Sequence, residues 1–387
     1  MNCSKEKCKI VYIIGSLRPG GAERHLVELI KAMDKERFLP IVYCMSEKGL
    51  LAKELEDIGV VVKSFDLKNN GQSKLTYIRD IIKLLFKFIR NLREDAPIIV
   101  HTYLYWANIL GGIATRCANI KFLITSRRSL GLFKDRKKFM QKVENIVNIF
   151  TDVITVNSQG VQRDTEKREK FIKDKVILIY NGVDHKRFTK KTQCDLSKSD
   201  LGINENQIVI TNISNLIHYK GHMDFIEAMS LVIEEKPDAV AVLVGRDGGM
   251  LNQIINKAKE LGIEKNIKIL GTRNDIVDIL NITDIQVLSS YEEGFSNAIL
   301  EGMASSLPLV VTDVGGNSEA VCDGINGFVI PPKNSRILSE KLLEIIKDEN
   351  KRIDMGIESR KFIEEKFTID KMLQEYQGMY ISLLKKL

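Results

Sequence analysis

The chain has 387 residues, 44% hydrophobic and 28% charged, the balance of an ordinary soluble globular protein with material for two cores. No run approaches the roughly 18 apolar residues that a bilayer-spanning helix requires, and the six cysteines (Cys3, Cys8, Cys44, Cys117, Cys194, Cys322) are too scattered for a disulfide scaffold or a metal site, as expected in a reducing cytoplasm. The net charge of +7 conceals +15 in residues 1–190 (36 basic, 21 acidic) beside −8 in the remainder (22 basic, 30 acidic), so an anionic partner is expected at the first half alone.

At the N-terminus, lysines followed by IVYII mimic a signal peptide, but Gly15, Ser16 and Arg18 interrupt the apolar run and no small-residue cleavage site follows. KIVYIIGSL therefore reads as a first buried strand. PIVYCM, VVVKSF, PIIVHT, KFLITS, DVITVNS and VILIYN continue the series, with AERHLVELIKAM and LTYIRDIIKLLFKFIRNLR among the helices between. The polar, aperiodic NGVDHKRFTKKTQCDLSKSDLGINEN opens on a turn signal and marks a junction near residues 183–205. The pattern then restarts with QIVITNIS, AVAVLVG, IKILG, DIQVLSS and LPLVVTDV, alternating with HMDFIEAMSLVIEE, GMLNQIINKAKELG and SRILSEKLLEIIKD. Alternation of this kind predicts an α/β fold of two doubly wound, Rossmann-like parallel-sheet domains: 1–185, then a linker at 186–205, then 206–365. Ligands of such sheets bind beyond the carboxyl ends of the strands, in the cleft expected between the tandem domains.

Four motifs stand at such ends. SLRPGGAERH (16–25) is either a tight strand–helix turn or a phosphate or sugar contact, because Gly20 and Gly21 admit close backbone approach to a helix N-terminus. It is not the dinucleotide fingerprint GxGxxG. His101, in HTYLYWAN, is expected at a strand end, either structural or facing the cleft. Lys220, in NLIHYKGH, is either a solvated turn lysine or an ammonium beside a phosphate. The fourth, EEGFSNAILEGMASSLPLVVTDVGGNSEAV (292–321), holds Glu293 and Glu301 with seven residues between. A helical wheel from Ser296 buries Ala298, Ile299, Leu300, Met303 and Ala304 and places Asn297, Glu301 and Ser305 on another face. Ser296 suits an N-cap, leaving N–H groups of the kind a diphosphate seeks. Paired carboxylates also occur in glycosidases, but a hydrolase of neutral sugars does not need the cation and helix terminus.

EGFSNAILE, together with GGAERH, NGVDHKRF, NLIHYKGH and DGINGFVIPP, resembles the retaining GT-B glycosyltransferases of family 4 (the group 1 family), and the resemblance spans nearly the whole chain. It implies that Glu301 binds the ribose hydroxyls of a nucleotide-sugar and that Glu293 lies beside the transferred sugar. Lys220, the Gly20–Gly21 loop and the backbone of Gly294, Phe295, Ser296 and Asn297 would hold the diphosphate, His101 would lie near donor sugar and acceptor, and the base would rest near Thr272 and Arg273. Asn215 falls at this donor site, where many members have an arginine, so Arg246, Arg128 or Arg18 must supply a second cation. The resemblance also implies that residues 366–387 pack back on the first domain.

The activity implied is retaining, metal-independent transfer of a sugar from a UDP- or GDP-type donor to a glycan or polyprenyl-diphosphate-linked acceptor, in cell-surface polysaccharide synthesis. No cofactor or metal is expected: the chain lacks the DxD motif with which metal-using transferases commonly bind a diphosphate. Alternatives are an NDP-sugar epimerase of similar fold and a non-catalytic nucleotide-sugar-binding protein. The segment 126–142, with seven cations and one aspartate, suggests a membrane surface bound through Arg127–Lys142, on the inner face of the cell membrane. A second amphipathic stretch, 83–93, sets Lys83, Lys87 and Arg90 against Leu84, Leu85, Phe88 and Leu92, the pattern also of a helix packed on a sheet. No nucleic-acid module is recognisable.

Overall fold

The computed structural model describes residues 7–67, 73–135, 137–189 and 195–387; Cys3, Cys194 and Arg136 lie outside them. The chain runs β1 (Cys8–Ile14), α1 (Gly21–Ala32), β2 (Phe38–Cys44), α2 (Ala52–Glu56), β3 (Val61–Ser64), α3 (Lys74–Asp95) and β4 (Ile99–Tyr103). Then come α4 (Tyr105–Cys117), β5 (Phe122–Arg127), α5 (Lys138–Phe150), β6 (Val153–Val156), α6 (Gln159–Arg168) and β7 (Val176–Leu178). A second series follows: β8 (Val209–Ile213), α7 (His222–Glu235), β9 (Val240–Val244), α8 (Leu251–Glu260), β10 (Ile267–Gly271), α9 (Ile276–Asn281) and β11 (Ile285–Leu288). It closes with α10 (Asn297–Ala304), β12 (Leu309–Thr312), α11 (Asn317–Ala320), β13 (Gly327–Ile330), α12 (Ser335–Lys347), α13 (Glu349–Lys366) and α14 (Ile369–Leu384). Two compact units result: residues 1–181 with 369–387, and residues 182–368.

The first unit is a seven-stranded sheet, β3-β2-β1-β4-β5-β6-β7, whose pairs are all parallel. Strands covered on both faces read as continuous apolar runs, and β1 shows the reason residue by residue. Cys8, Ile10, Tyr12 and Ile14 face one core with α1 and α14. Val11 and Ile13 face the other, beneath Leu84, Phe88 and Leu92 of α3 and Ala107, Leu110 and Ala114 of α4. Helix α14 brings Met372, Tyr376, Met379, Tyr380 and Leu383 onto the first core.

The second unit is a six-stranded sheet, β10-β9-β8-β11-β12-β13, again with parallel pairs. β13 is an addition to the predicted strands. It is four residues long, opens on the glycine of an Asn-Gly pair, and is recruited by pairing along β12 from Leu309↔Gly327 to Thr312↔Ile330. The expected linker differs too. Phe188 is buried, and Leu196 and Ile203 join a core with Val209, Val240 and Val242, so the described part of 186–205 is structural material of the second unit. Among the described residues no helix is long and apolar enough to cross a membrane.

Candidate functional site

The strand order of the second unit reverses between β8 and β11, and loops leaving such neighbours frame a ligand crevice at the carboxyl edge. The β8 loop carries Lys220 and the β11 loop carries Glu293, and the two meet. Lys220 Nζ donates to Glu293 Oε1 at 2.5 Å, and Ser290 Oγ donates to the same oxygen at 2.7 Å. The Lys220 and Glu293 side chains are 16% and 9% exposed, so each charge depends on a partner more than a surface ion would.

The backbone locks these loops together. The Tyr291 N–H donates to the Tyr219 carbonyl at 2.7 Å, and Ser289 Oγ donates to the carbonyls of Gly221 (3.0 Å) and Lys220 (3.2 Å). Gly221 has φ +66°, and a Cβ there would sit 1.9 Å from the Ser289 carbonyl oxygen, so the turn that aims Lys220 requires glycine twice over. A third loop, after β12, completes the wall. Gly315 (φ +59°) lies so close that a Cβ would be 2.2 Å from the Glu293 carbonyl oxygen, and the Gly316 N–H donates to the Gly294 carbonyl at 2.8 Å. Sequence reasoning assigned no role to these two glycines; the Gly-Gly pair directly after a strand was the available signal.

Helix α10 begins beyond Glu293. Ser296 stands at the N-cap without capping through its hydroxyl, with Asn297 as the first helical residue. Gly294 is buried, and Phe295 is buried against Phe367, ring centroids 5.1 Å apart. One turn on, Glu301 is half-buried. The close seat of α10 on β11 comes from Gly302, where a Cβ would fall 1.4 Å from Gln286 Oε1, while Gln286 Nε2 donates to the Ala298 carbonyl at 2.9 Å. Two wheel positions differ from expectation. Ala298 is only half-buried, and Ser305 is buried because its hydroxyl turns back to the Glu301 carbonyl at 3.0 Å.

Asn215 is held by its surroundings. Its carbonyl accepts His222 Nε2–H at 3.0 Å, and its Oδ1 accepts the Arg246 N–H at 3.3 Å. Burial lowers the His222 pKa; the Asn215 carbonyl opposes that shift and the Lys220 charge adds to it. Of the three arginines considered as a second cation, Arg18 pairs with Glu47 and Arg128 donates to Asn181 Oδ1 at 2.6 Å, both in the first unit. Arg246 instead emerges beside Asn215, exposed and with no ion pair among the described residues. Arg273 follows β10, the edge strand, and its guanidinium is committed to Asp275, with Nε 2.8 Å from Oδ1.

In the first unit the order reverses between β1 and β4. Gly20 is the N-cap of α1 and Gly21 its first residue. The Glu23 carboxylate lies over this turn: a Cβ on Gly20 would be 2.3 Å from Glu23 Oε2. His101 corrects the expectation of a strand-end group facing an opening. It is wholly buried in β4, with Nδ1 2.8 Å from Tyr380 Oη and Nε2 2.8 Å from Ser126 Oγ. Burial first, then the Arg128 charge, pulls its pKa down to about 3. The unfolded chain therefore binds a proton that the folded one refuses. The stability His101 contributes is complete above pH ~6.5 and is lost, at about 1.4 kcal/mol per pH unit, as pH falls from there toward 3. In NMR spectra its ring should stay neutral from pH 8 to 5; a resonance titrating near 6.5 would contradict its burial.

The expectation for the basic segment 126–142 is corrected at two of its cations. Arg127 and Lys134 are buried in an internal network, not presented to a membrane. Arg127 Nε and Nη2 donate to Glu169 Oε1 (2.9 Å) and Oε2 (2.8 Å), with Glu144 Oε1 at 3.2 Å. Lys134 Nζ reaches Glu144 at 2.5 Å and Glu169 at 3.3 Å. Burial opposes ionisation of Glu169, but the Arg127 charge and hydrogen bonds, with Lys134 and Asn148, hold its pKa below the usual carboxylate range. Glu144 is pushed up by burial. Both carboxylates arrive from other elements, Glu144 from α5 and Glu169 from the end of α6.

Comparison with known proteins follows the two units. Residues 195–362 match the family model Glycosyl transferases group 1, and residues 19–187 match Glycosyltransferase Family 4. An Escherichia coli relative, UDP-Gal:alpha-D-GlcNAc-diphosphoundecaprenol alpha-1,3-galactosyltransferase, is 28% identical over 99% of each chain. A Campylobacter jejuni relative, N,N'-diacetylbacillosaminyl-diphospho-undecaprenol alpha-1,3-N-acetylgalactosaminyltransferase, is 25% identical over 89% of this chain and 92% of its own. Among solved structures, Anabaena HepE in complex with UDP-glucose superposes with a TM-score of 0.86 at 24% identity, covering 97% of this chain and 100% of that one. With two parallel-sheet units of this topology, each matched by a glycosyltransferase model, the chain belongs to the GT-B glycosyltransferases.

Proposed function

We propose that the protein transfers a sugar from a UDP-sugar to a lipid-diphosphate-linked acceptor with retention of anomeric configuration, as a family 4 enzyme in cell-surface polysaccharide synthesis. The observation that carries the reading is the Lys220–Glu293 pair at the β8/β11 reversal, with Glu301 one turn into the helix that follows Glu293. A UDP donor is supported by the E. coli relative's UDP-Gal and by HepE's UDP-glucose; the acceptor class is supported by the two relatives' diphosphoundecaprenol acceptors.

In this reading the diphosphate takes Lys220 from Glu293, and Glu293 turns to a hydroxyl of the transferred sugar. Arg246 supplies the cation that Asn215 cannot, and the N-terminus of α10 adds its dipole. Glu301 accepts both ribose hydroxyls. The departing phosphate, steadied by these groups, takes the proton of the attacking acceptor hydroxyl on the same face of the sugar. We propose no metal in this step, since cations and N–H dipoles neutralise the leaving group. His101, with both ring nitrogens engaged, positions β4 against α14 and touches no substrate.

The test is calorimetry of UDP, GDP and ADP in EDTA. UDP is expected to bind best, and Glu301→Ala to weaken it at least ~10-fold, the worth of about one or two lost charge-assisted bonds. Equal binding of all three nucleotides would defeat the UDP assignment, and UDP binding untouched by the substitution would defeat the ribose assignment.

A further inference from the structure

Arg127 and Arg128 adjoin in sequence and meet opposite fates. Side chains alternate across a strand, so Arg127 turns to the side of α5 and α6, where Glu144 and Glu169 balance it. Arg128, the first residue beyond β5, turns to the side of α1 and α14, and no carboxylate pairs with it among the described residues. Every group recorded beside it is neutral. Asn181 Oδ1 accepts its Nη2–H at 2.6 Å, the Tyr103 ring centre lies 5.8 Å from its Cζ, and the Tyr376 hydroxyl is near enough to feel its charge. The imidazoles of His25 and His101 are held unprotonated, by burial first and by the Arg128 charge second. An arginine half-buried among neutral groups gives up hydration without gaining a counter-charge.

Three loops from adjacent strands build these surroundings. Arg128 follows β5, Asn157 follows β6 and Asn181 comes three residues after β7, all at the carboxyl edge, where doubly wound sheets bind their ligands. Asn157 Nδ2 reaches the Arg128 carbonyl at 3.5 Å. Arg128 Nε, His25 Nε2 and Asn157 Oδ1 are each buried with no hydrogen-bond partner among the described residues. Buried polar atoms are otherwise nearly always paired. An uncompensated guanidinium in a cluster with such atoms is therefore the arrangement of a site that an anion completes.

Which anion follows from what the second unit already provides. In the proposed function the donor's diphosphate has Lys220, Arg246 and the α10 N-terminus, all in that unit. The acceptor carries a diphosphate of its own, whereas a neutral glycan would leave Arg128 uncompensated. We propose that Arg128 is the centre of a second anion subsite, in the first unit, that takes a phosphate of the acceptor's diphosphate. Asn181 and the Tyr103 ring hold the guanidinium without neutralising it, so its full charge is kept for the ligand. The subsite rests on the lipid-diphosphate acceptor of the proposed function and makes its recognition ionic: a diphosphate-linked sugar is taken, and the same sugar on a neutral aglycone is refused.

The test is calorimetry of geranyl diphosphate and of geraniol on the full chain saturated with UDP, so that the diphosphate site assigned to the second unit is filled. Wild type is expected to bind the diphosphate at least ~10-fold more tightly than the alcohol, with an affinity that falls as salt rises. Arg128→Gln is expected to lower diphosphate binding at least ~10-fold and so erase the preference, while geraniol and UDP bind as in wild type. Arg128→Lys should keep part of it, since an ammonium supplies the charge without the planar fork. Lys83→Gln/Lys87→Gln, at exposed cations of α3, controls for general charge and should match wild type. Melting curves show that each variant is folded. An undiminished preference for the diphosphate in Arg128→Gln overturns the proposal. So does a folded variant that loses diphosphate and geraniol alike, the mark of a merely structural arginine, or one that loses UDP, which would give Arg128 to the donor. A wild type that binds UDP but takes geranyl diphosphate no better than geraniol defeats the subsite and leaves the donor reading standing. Failure of UDP to bind wild type strikes the donor reading alone, whatever geranyl diphosphate shows.

Discussion

Lys220→Ala should lower kcat/KM for sugar transfer by roughly 10²–10³-fold, the cost of removing one preorganised charge donor from a developing anion. The loop offers the diphosphate one ammonium, and where another cation would stand it offers Asn215, whose side-chain oxygen is already bonded to the Arg246 N–H. Arg246→Gln should cost less, about 10-fold, because an exposed guanidinium is partly screened by water. Steady-state kinetics with a UDP-sugar donor reads both effects. Full activity in Lys220→Ala would mean that the diphosphate is held elsewhere.

The largest stability effect is expected far from that loop. Glu169→Ala strips Arg127 of its bidentate partner and Lys134 of one of its two carboxylates, leaving two buried cations to share Glu144. Breaking a buried ionic network in this way costs about 3–5 kcal/mol. A unit of some 200 residues should then melt roughly 6–20 °C lower. Replacing all four charges by Met and Leu should recover most of the loss, since the penalty comes from uncompensated burial and not from any net worth of the ion pairs. Hydrogen exchange at β5, β6 and α5 amides localises the change. Unaltered exchange in Glu169→Ala would mean that water reaches the cluster and screens it.

These two sites mark where reading by pattern succeeds and where it stops. Strands such as VAVLV in β9 are legible because parallel strands are apolar on both faces, and the residues that follow them are legible as ligand loops because the topology sends every loop to one edge. Lys220 and Glu293 were found that way, although 73 residues separate them. What stayed hidden depends on which distant element arrives. His101, expected at a strand end, lies in the middle of β4, and Tyr380, 279 residues later, covers it. Arg127 and Lys134 looked like a solvated basic run because their counter-charges stand on α5 and at the end of α6. Gly315 carried no assigned role, because only the pairing of β12 with β11 lays it against Glu293. Local period tells which face a residue takes; only the partner decides whether that face is wet.

Helix α14 also sets an order of events during synthesis. The ribosome makes residues 182–368, the whole second unit, after the seven-stranded sheet of the first unit and before the helix that covers one side of it. At roughly 5–20 residues per second, that interval lasts roughly 10–40 s. Throughout it Tyr12 and His101 lack the Tyr380 hydroxyl they finally share, and the apolar wall around Phe38 lies open. A released chain that ends just short of residue 369 should therefore carry a finished second unit and a first unit that chaperones recognise as incomplete.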